Sequence, residues 1–262
     1  MNALAEALGL NGGIVAAIGA GGKKSVLNEL AAHATGRIAW TGTVFTARPP
    51  RWTGVEVHVG NEAELLSMAG KLSGDGRHAF LLPSEKPGRY GGLSPDGVDQ
   101  LHEQGGFDLT LVKADGARMR GLKCPKPGEP VLPARTRTVL MILSAQVIGK
   151  PLDESFVHRP ERVGAVLDLA PGERIEPAHL AAIFTRPGGI SERTDGLVIL
   201  PIINQVDDET SRGLATEAAR LALAESDRFD RVILTCLKRE RARRVPVVDV
   251  IKRQAGDRSQ KE

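Results

Sequence analysis

The residues most suited to chemistry form a glycine-rich loop that carries two lysines, Gly19-Ala-Gly-Gly-Lys-Lys-Ser25. Glycines let successive backbone N–H groups converge on phosphate oxygens, and a lysine adds positive charge for the outer phosphates. The loop departs from the pattern G-x-x-x-x-G-K-[ST], because Ala17 replaces the first glycine and Lys24 replaces the hydroxyl that holds Mg²⁺. It predicts either a phosphate-binding loop or a strand-to-helix turn with two surface lysines. The predicted nucleotide-binding residues here are Gly19, Ala20, Gly21, Gly22, Lys23, Lys24 and Ser25.

A carboxylate follows a later apolar segment, in Asp108-Leu-Thr-Leu-Val-Lys-Ala-Asp115-Gly116. In P-loop proteins such an aspartate holds Mg²⁺ directly or through water, although an Asp-Gly pair after a strand also occurs simply as a turn. Together with the loop, this position predicts Lys23 and Asp115 as catalytic residues. The same reasoning predicts Asp115 and Ser25 as Mg²⁺ ligands. Lys24 weakens the magnesium prediction, because a lysine cannot ligate the metal.

A possible base-reading element, Asn204-Gln-Val-Asp207, follows the apolar segment Leu197–Ile203. An Asn-Lys-x-Asp sequence at the end of a strand is typical of guanine recognition, in which the aspartate accepts from the base and the asparagine fixes the loop. Gln205 replaces the lysine whose stem would cover the base. The element predicts Asn204 and Asp207 as base contacts, or Asp207 as the N-cap of the next helix.

Cationic side chains crowd the loop directly after Asp115. They favour a second anion or substrate site, although a solvated loop has the same composition. His158 and Arg159 precede Pro160, where they either approach the ligand or hold an inserted lobe in place. The residues predicted for this second site are Arg118, Arg120, Lys123, His158 and Arg159, with Lys126 nearby.

Other nucleophilic and metal-ligating residues form no pattern in the sequence. Cys124 lies among the cations of the loop, which predicts either a reactive thiol with a lowered pKa or a bystander. Cys124 and Cys236 are the two cysteines, so neither a disulfide framework nor a cysteine zinc site is expected. Surface or core-edge positions are predicted for His33, His58, His78, His102 and His179.

The elements that must position these residues alternate between two periodicities. Short apolar runs such as Ile14–Ile18 are typical of buried strands, and helical patterns such as 62–72 follow several of them. The alternation predicts an α/β fold of the P-loop NTPase type, with a mostly parallel sheet covered by helices on both faces. We expect a single domain over 1–252, with an irregular inserted lobe at about 121–195. A polar tail is predicted over 253–262.

Composition and charge exclude several classes of protein. Aromatic residues make up 3% of the 262 residues, too few for a stacking platform that binds single-stranded nucleic acid. Residues 238–262 carry a net charge of +5 and residues 1–237 a net charge of −2, so the basic excess belongs to the tail. That tail favours non-specific electrostatic attraction at most. Without a signal peptide pattern or a long apolar run, we expect a cytoplasmic protein that is not in a membrane.

The order of several stretches resembles the YqeC-like family of accessory proteins for selenium-dependent molybdenum hydroxylases. The similarity extends over about residues 10–240, and its central segments are specific. The stretches that carry it are Gly19–Lys23, Thr41–Thr46, Ala114–Ala117, Leu122–Lys123, Pro125, Glu129–Pro133, Gly149–Leu152, Val157–Glu161 and Asn204–Asp207.

This resemblance implies a P-loop nucleotide-binding fold that uses ATP or GTP, with or without Mg²⁺. It also implies a partner, either a molybdenum hydroxylase client or its cofactor-assembly proteins. The chain departs from the family pattern at Lys24, Lys113 and Gln205. These departures predict nucleotide binding with weak or absent hydrolysis, so NTPase activity is an open question. The alternative is a non-catalytic carrier of molybdenum cofactor or another phosphorylated ligand, in which the loop serves as an anion cradle.

Overall fold

The computed structural model describes residues 3–238 and 246–253. The chain divides into two compact units. The first comprises Met1–Ile18, Lys23–Gly116 and Gly128–Val139, and the second comprises Gly19–Gly22, Ala117–Pro127 and Leu140–Glu262. The single domain over 1–252 with a lobe at about 121–195 stays a prediction. Most of the basic run 238–244 and the tail after residue 253 lie outside the described residues.

The first unit is built on five parallel strands in the order β1-β5-β2-β4-β3. Helices α1 to α4 belong to the same unit, and α3 begins with a capping box at Asn61. The elements are α1 (Ala3–Leu8), β1 (Gly13–Gly19), α2 (Lys23–His33), β2 (Arg37–Gly42), β3 (Glu56–Val59), α3 (Glu62–Ala69), β4 (Gly76–Leu81), α4 (Pro95–Gly105) and β5 (Leu109–Lys113).

Burial in the first unit follows the pattern of a parallel sheet covered on both faces. Every residue of β5 is buried, as the continuous apolar run in its sequence predicts. Register aligns Ala17 of β1 and Gly42 of β2 with Lys113 of β5. Residues that follow β2 and β5 therefore lie at the carboxyl edge of this sheet, where open α/β sheets bind their ligands.

The second unit contains a smaller sheet and most of the later helices. Its strands lie in the order β11-β10-β9-β7, with β10 parallel to β9 and antiparallel to β11. Two short strands, β6 and β8, pair separately in parallel. The elements are β6 (Leu122–Lys123), β7 (Thr136–Ser144), β8 (Val157–His158), α5 (Pro160–Leu167), α6 (Pro177–Thr185), β9 (Val198–Asn204), α7 (Glu209–Glu225), β10 (Arg231–Thr235) and β11 (Val247–Lys252).

The predicted α/β class with a mostly parallel sheet is confirmed. Residues 247–252 supply the antiparallel edge strand β11. Among the described residues, no helix combines the length and apolar character that crossing a membrane requires.

One predicted helix cap is wrong. Asp207 was one candidate for the N-cap of α7, but Asp208 holds that position and its carboxylate accepts from the Ser211 N–H at 2.7 Å. The helix begins one residue later than the aspartate of the Asn-x-x-Asp element. Asp207 is therefore left to other contacts.

Candidate functional site

Close packing in the second unit explains the glycines of the loop. Gly19, Gly21 and Gly22 have φ angles of +92°, +77° and +125°, which favour glycine. A Cβ on Gly19 would meet the backbone of Ile142, and a Cβ on Gly21 would lie 2.6 Å from the Cβ of Ser144. Both neighbours belong to β7, so the glycines let the loop lie directly against that strand.

Two backbone N–H groups predicted to bind phosphate are used within the protein. Ala20 N–H donates to the Ile142 carbonyl at 2.7 Å, and Gly21 N–H donates to the Arg120 carbonyl at 2.9 Å. These two amides therefore already have acceptors, and phosphate binding by Ala20 and Gly21 stays a prediction. The start of α2 offers the better donors, because the first N–H groups of a helix have no acceptor within the helix.

In the first unit, Lys23 at the start of α2 forms a buried ion pair with Asp115. Lys23 Nζ lies 2.9 Å from Asp115 Oδ1, and both side chains are almost fully buried. The two predicted catalytic residues are thus brought together. The contact fixes the lysine that the sequence assigns to phosphate, and it neutralises the carboxylate that the sequence assigns to Mg²⁺.

Lys113 adds a second buried ammonium group next to this pair. The pKa of Lys113 is lowered from 10.5 to about 7, chiefly by burial and then by the charge of Lys23, while Asp115 acts in the opposite direction. Arg89 also lowers the pKa of Lys113. The Lys113 ammonium donates to the Phe45 carbonyl at 2.9 Å, so the loop after β2 holds it in place.

Lys24 completes a cluster of three lysines. Burial lowers the pKa of Lys24, and the positive charge of Arg89 acts in the same direction. Lys24 and Lys113 thus lose some of their tendency to carry a proton, chiefly because burial removes them from water and secondly because other cations lie near them. An anion that binds in this cluster restores the protonated forms, since an opposite charge favours them. Arg89 and the Phe45 carbonyl were missed from the sequence, because neither lies in a recognisable motif.

These residues do not fit a Mg²⁺ ion. Magnesium prefers an octahedral shell of oxygens and is usually held by carboxylates and phosphates. Asp115 is already paired with Lys23, and Lys24 and Lys113 repel a cation. Ser25 is exposed on α2. This arrangement does not favour Asp115 and Ser25 as magnesium ligands, and that role stays a prediction.

In the second unit, Asn204 fixes the glycine loop. Its side-chain N–H donates to the Gly21 carbonyl at 2.8 Å, and its oxygen accepts from the Thr235 hydroxyl at 2.9 Å. The sequence predicts that this asparagine contacts a base and helps to fix the loop. The structure gives it the loop-fixing part of that role, and base contact stays a prediction.

The Asp207 carboxylate has several partners within the protein. It forms an ion pair with Lys238, and Gln146 Nε2 donates to Oδ2 at 3.3 Å. The Cys236 thiol donates to Oδ1 at 3.3 Å. Gln205, with φ of +64°, accepts a hydrogen bond from Ser144 and turns the chain between Asn204 and Asp207. A base would have to replace part of this network to reach Asp207.

The residues of the predicted second anion site differ in burial and in their contacts. Lys123 and His158 are paired in register on β6 and β8, and both are buried. Arg120 donates to the Glu154 carbonyl, and Arg118 is exposed. Arg159 has a left-handed φ of +60° directly before α5. The structure brings Lys123 and His158 together, and an anion-binding role for the five residues stays a prediction.

Cys124 does not have the properties of a reactive thiol. Its side chain is fully buried, and burial raises its pKa to about 12, although Arg162 and Lys123 act in the opposite direction. Desolvation exceeds the attraction of the cations because the thiolate has no access to water. The bystander interpretation is the correct one.

Comparison with known proteins identifies the family. The family model described as YqeC protein matches residues 15–161, more than half of the 262-residue chain. The chain belongs to the YqeC family. The match includes the glycine loop and Asp115, and it ends before Asn204.

A curated relative supports this assignment. The chain is 27% identical over 180 residues to a protein of Escherichia coli (strain K12) described as uncharacterized protein YqeC. The aligned region covers 67% of this chain and 69% of the relative. No solved structure matches the chain significantly. Membership of the YqeC family confirms the resemblance inferred from the sequence. The ligand and the partner stay predictions.

We expect Gly19→Ala to destabilise the protein more than Gly149→Ala does. Both glycines have positive φ, but a Cβ on Gly149 meets nothing within 4 Å, whereas one on Gly19 meets the backbone of Ile142. The control substitution should cost about 1 kcal/mol from strain, and Gly19→Ala about 1–3 kcal/mol more from the clash. Urea unfolding monitored by circular dichroism measures both, and equal losses would show that the loop is not closely packed.

Lys113 should titrate near neutral pH. In NMR of side-chain-labelled lysines we expect a pKa of about 7 for Lys113, rising in Lys23→Met because a neighbouring cation is lost. The unfolded chain keeps the ordinary value of 10.5, so it binds more protons than the folded state between about 7 and 10.5. Lys113 should therefore make the folded state more stable as the pH rises through this window. A pKa near 10 in the folded protein would contradict this description of the cluster.

Proposed function

We propose that the protein binds the phosphate groups of a purine nucleotide, ATP or GTP, at the start of α2 and acts as an accessory factor. In this role it does not use rapid Mg²⁺-dependent hydrolysis. The single observation that carries the proposal is the buried Lys23–Asp115 ion pair at the start of α2, with Lys113 buried beside it and Lys24 close enough to Lys113 to act on its charge. Three cations at a helix N-terminus are suited to a polyphosphate, whose charge they offset without a metal.

Each lysine has a distinct part in this proposal. Lys23 is held by Asp115, so its ammonium is positioned before the ligand arrives. Lys113 takes up a proton when an anion binds near pH 7, because its pKa of about 7 rises next to negative charge. Lys24 stands where a magnesium-binding hydroxyl would be in the standard loop. A site of this kind favours retention of an anion over transfer of a phosphoryl group.

The accessory role is inferred from the family. The YqeC-like resemblance implies a part in the maturation of a selenium-dependent molybdenum hydroxylase, with the client enzyme or its cofactor-assembly proteins as partner. A nucleotide-bound state and a free state would give such a factor two forms for contact with its client. The second anion residues, Arg118, Arg120, Lys123, His158 and Arg159, remain candidates for contact with the transferred species.

A second function is favoured by one observation in the second unit. The Asp207 carboxylate, predicted to read guanine, is already bonded to Lys238, Gln146 and Cys236. If the protein does not recognise a base, the second function is that of a carrier of molybdenum cofactor or another phosphorylated ligand. Such a carrier would recognise only the phosphate group. Base selectivity therefore separates the two functions.

Calorimetric titration with ATP, GTP, GDP and pyrophosphate, with and without Mg²⁺, tests both. The nucleotide function predicts a preference for one purine nucleotide, binding in EDTA and little phosphate release over hours. The carrier function predicts similar affinity for every ligand that has a diphosphate group. Rapid Mg²⁺-dependent phosphate release would contradict both.

Lys24→Thr gives a sharper comparison, because it restores the hydroxyl of the standard loop. We expect weaker nucleotide binding in EDTA and partial recovery when Mg²⁺ is added, since a cation is replaced by a metal ligand. Lys71→Thr, at an exposed position of the same unit, is the matched control and should bind as the native protein does. Equal behaviour of the two variants would show that Lys24 does not contact the phosphates.

A further inference from the structure

Three side chains of metal-ligating types lie together on β3 and β4. Glu56 and His58 are two residues apart on β3, so they share one face of the sheet. The register pairs Glu56 with His78 of β4, which places His78 on the same face. Over residues 3–238 and 246–253, this is the one group of three or more His, Cys, Asp or Glu residues whose ligand atoms all lie within 4.8 Å of one another.

Two of the distances between these ligand atoms are close to those in a metal site. His58 Nε2 is 3.1 Å from His78 Nδ1, and Glu56 Oε2 is 3.6 Å from the same nitrogen. Zinc binds nitrogen and oxygen ligands at about 2.0–2.2 Å, so two ligands of a tetrahedral site lie about 3.3–3.6 Å apart. All three ligand atoms lie within 4.8 Å of one another, so rotation of the side chains is needed to direct them at one ion.

Packing holds the two imidazoles in position and leaves the site accessible. The His58 ring lies 5.3 Å from the His78 ring at an angle of 25°, and 5.3 Å from the ring of Phe80. Phe80 is completely buried, so the stack is anchored in the core. The Glu56 side chain is 68% exposed, which gives an ion a path from solvent.

We propose that Glu56, His58 and His78 form a binding site for a divalent transition metal, with Zn²⁺ as the preferred ion. Two imidazoles and a carboxylate are a donor set that zinc uses when a fourth position is open to water. The metal joins β3, the last strand in the order of the first unit, to its neighbour β4. This site is separate in sequence from the lysine cluster and does not depend on the proposed function.

Zinc titration of the metal-stripped, full-length protein tests the proposal. Calorimetry should show one saturable site, and the midpoint of thermal unfolding should rise with zinc, because a ligand that binds the folded state stabilises it. His58→Asn, His78→Asn and Glu56→Gln should each weaken zinc binding at least about tenfold, since each removes one of three ligands. His33→Asn, which changes a half-exposed histidine at the end of α2, is the control and should bind zinc as the native protein does.

The Glu56→Gln variant keeps the test decisive if a histidine variant folds poorly, because its side chain is exposed and its loss leaves the core unchanged. Unfolding curves without metal verify that each variant is folded. Loss of zinc binding in Glu56→Gln and retention in His33→Asn support the site. Absence of saturable binding, unchanged affinity in Glu56→Gln, or an equal loss in His33→Asn would overturn it.

Discussion

The Lys23–Asp115 ion pair links the start of α2 to the segment that follows β5, and the neighbouring charges are arranged around it. A buried carboxylate with a single lysine partner would be a neutral unit. Here Lys113 is also buried beside it, and burial, followed by the charge of Lys23, lowers its pKa to about 7, so one carboxylate faces more than one ammonium group. The cluster is therefore short of negative charge, which an anion can supply. This shortage is the physical basis for phosphate binding and the reason that a metal ion is disfavoured.

The parallel arrangement of the strands makes the cluster possible. β2 and β5 run in the same direction, so the segments that follow them, which contain Phe45 and Asp115, lie at one edge of the first unit. The glycine loop has a packing role in the second unit. Its positive φ angles let the backbone approach β7, and Asn204 then holds Gly21 through a side-chain hydrogen bond. The glycines thus serve packing as much as ligand binding.

Much of the fold could be predicted from the local sequence. The periodicity of apolar residues indicates most strands and helices, and capping residues such as Ser94 indicate where a helix, here α4, begins. The pairing of Lys23 with Asp115 was also within reach, since both follow strands of a parallel sheet. The use of the Ala20 and Gly21 amides could not be predicted, because their acceptors lie on distant segments. The same holds for His58 and His78, which are 20 residues apart and meet only through strand register. Burial of Cys124 reversed the expected effect of its charged neighbours.

The most direct test of the lysine cluster uses sulfate, a tetrahedral anion whose own charge does not change near neutral pH. Its affinity is measured in EDTA at about pH 6 and about pH 8.5, on either side of the Lys113 pKa of about 7. We predict tighter binding at the lower pH, where Lys113 is protonated, and no such difference in Lys113→Met. Equal affinity at both pH values in the native protein, or binding that requires Mg²⁺, would contradict a metal-free anion site built on lysines.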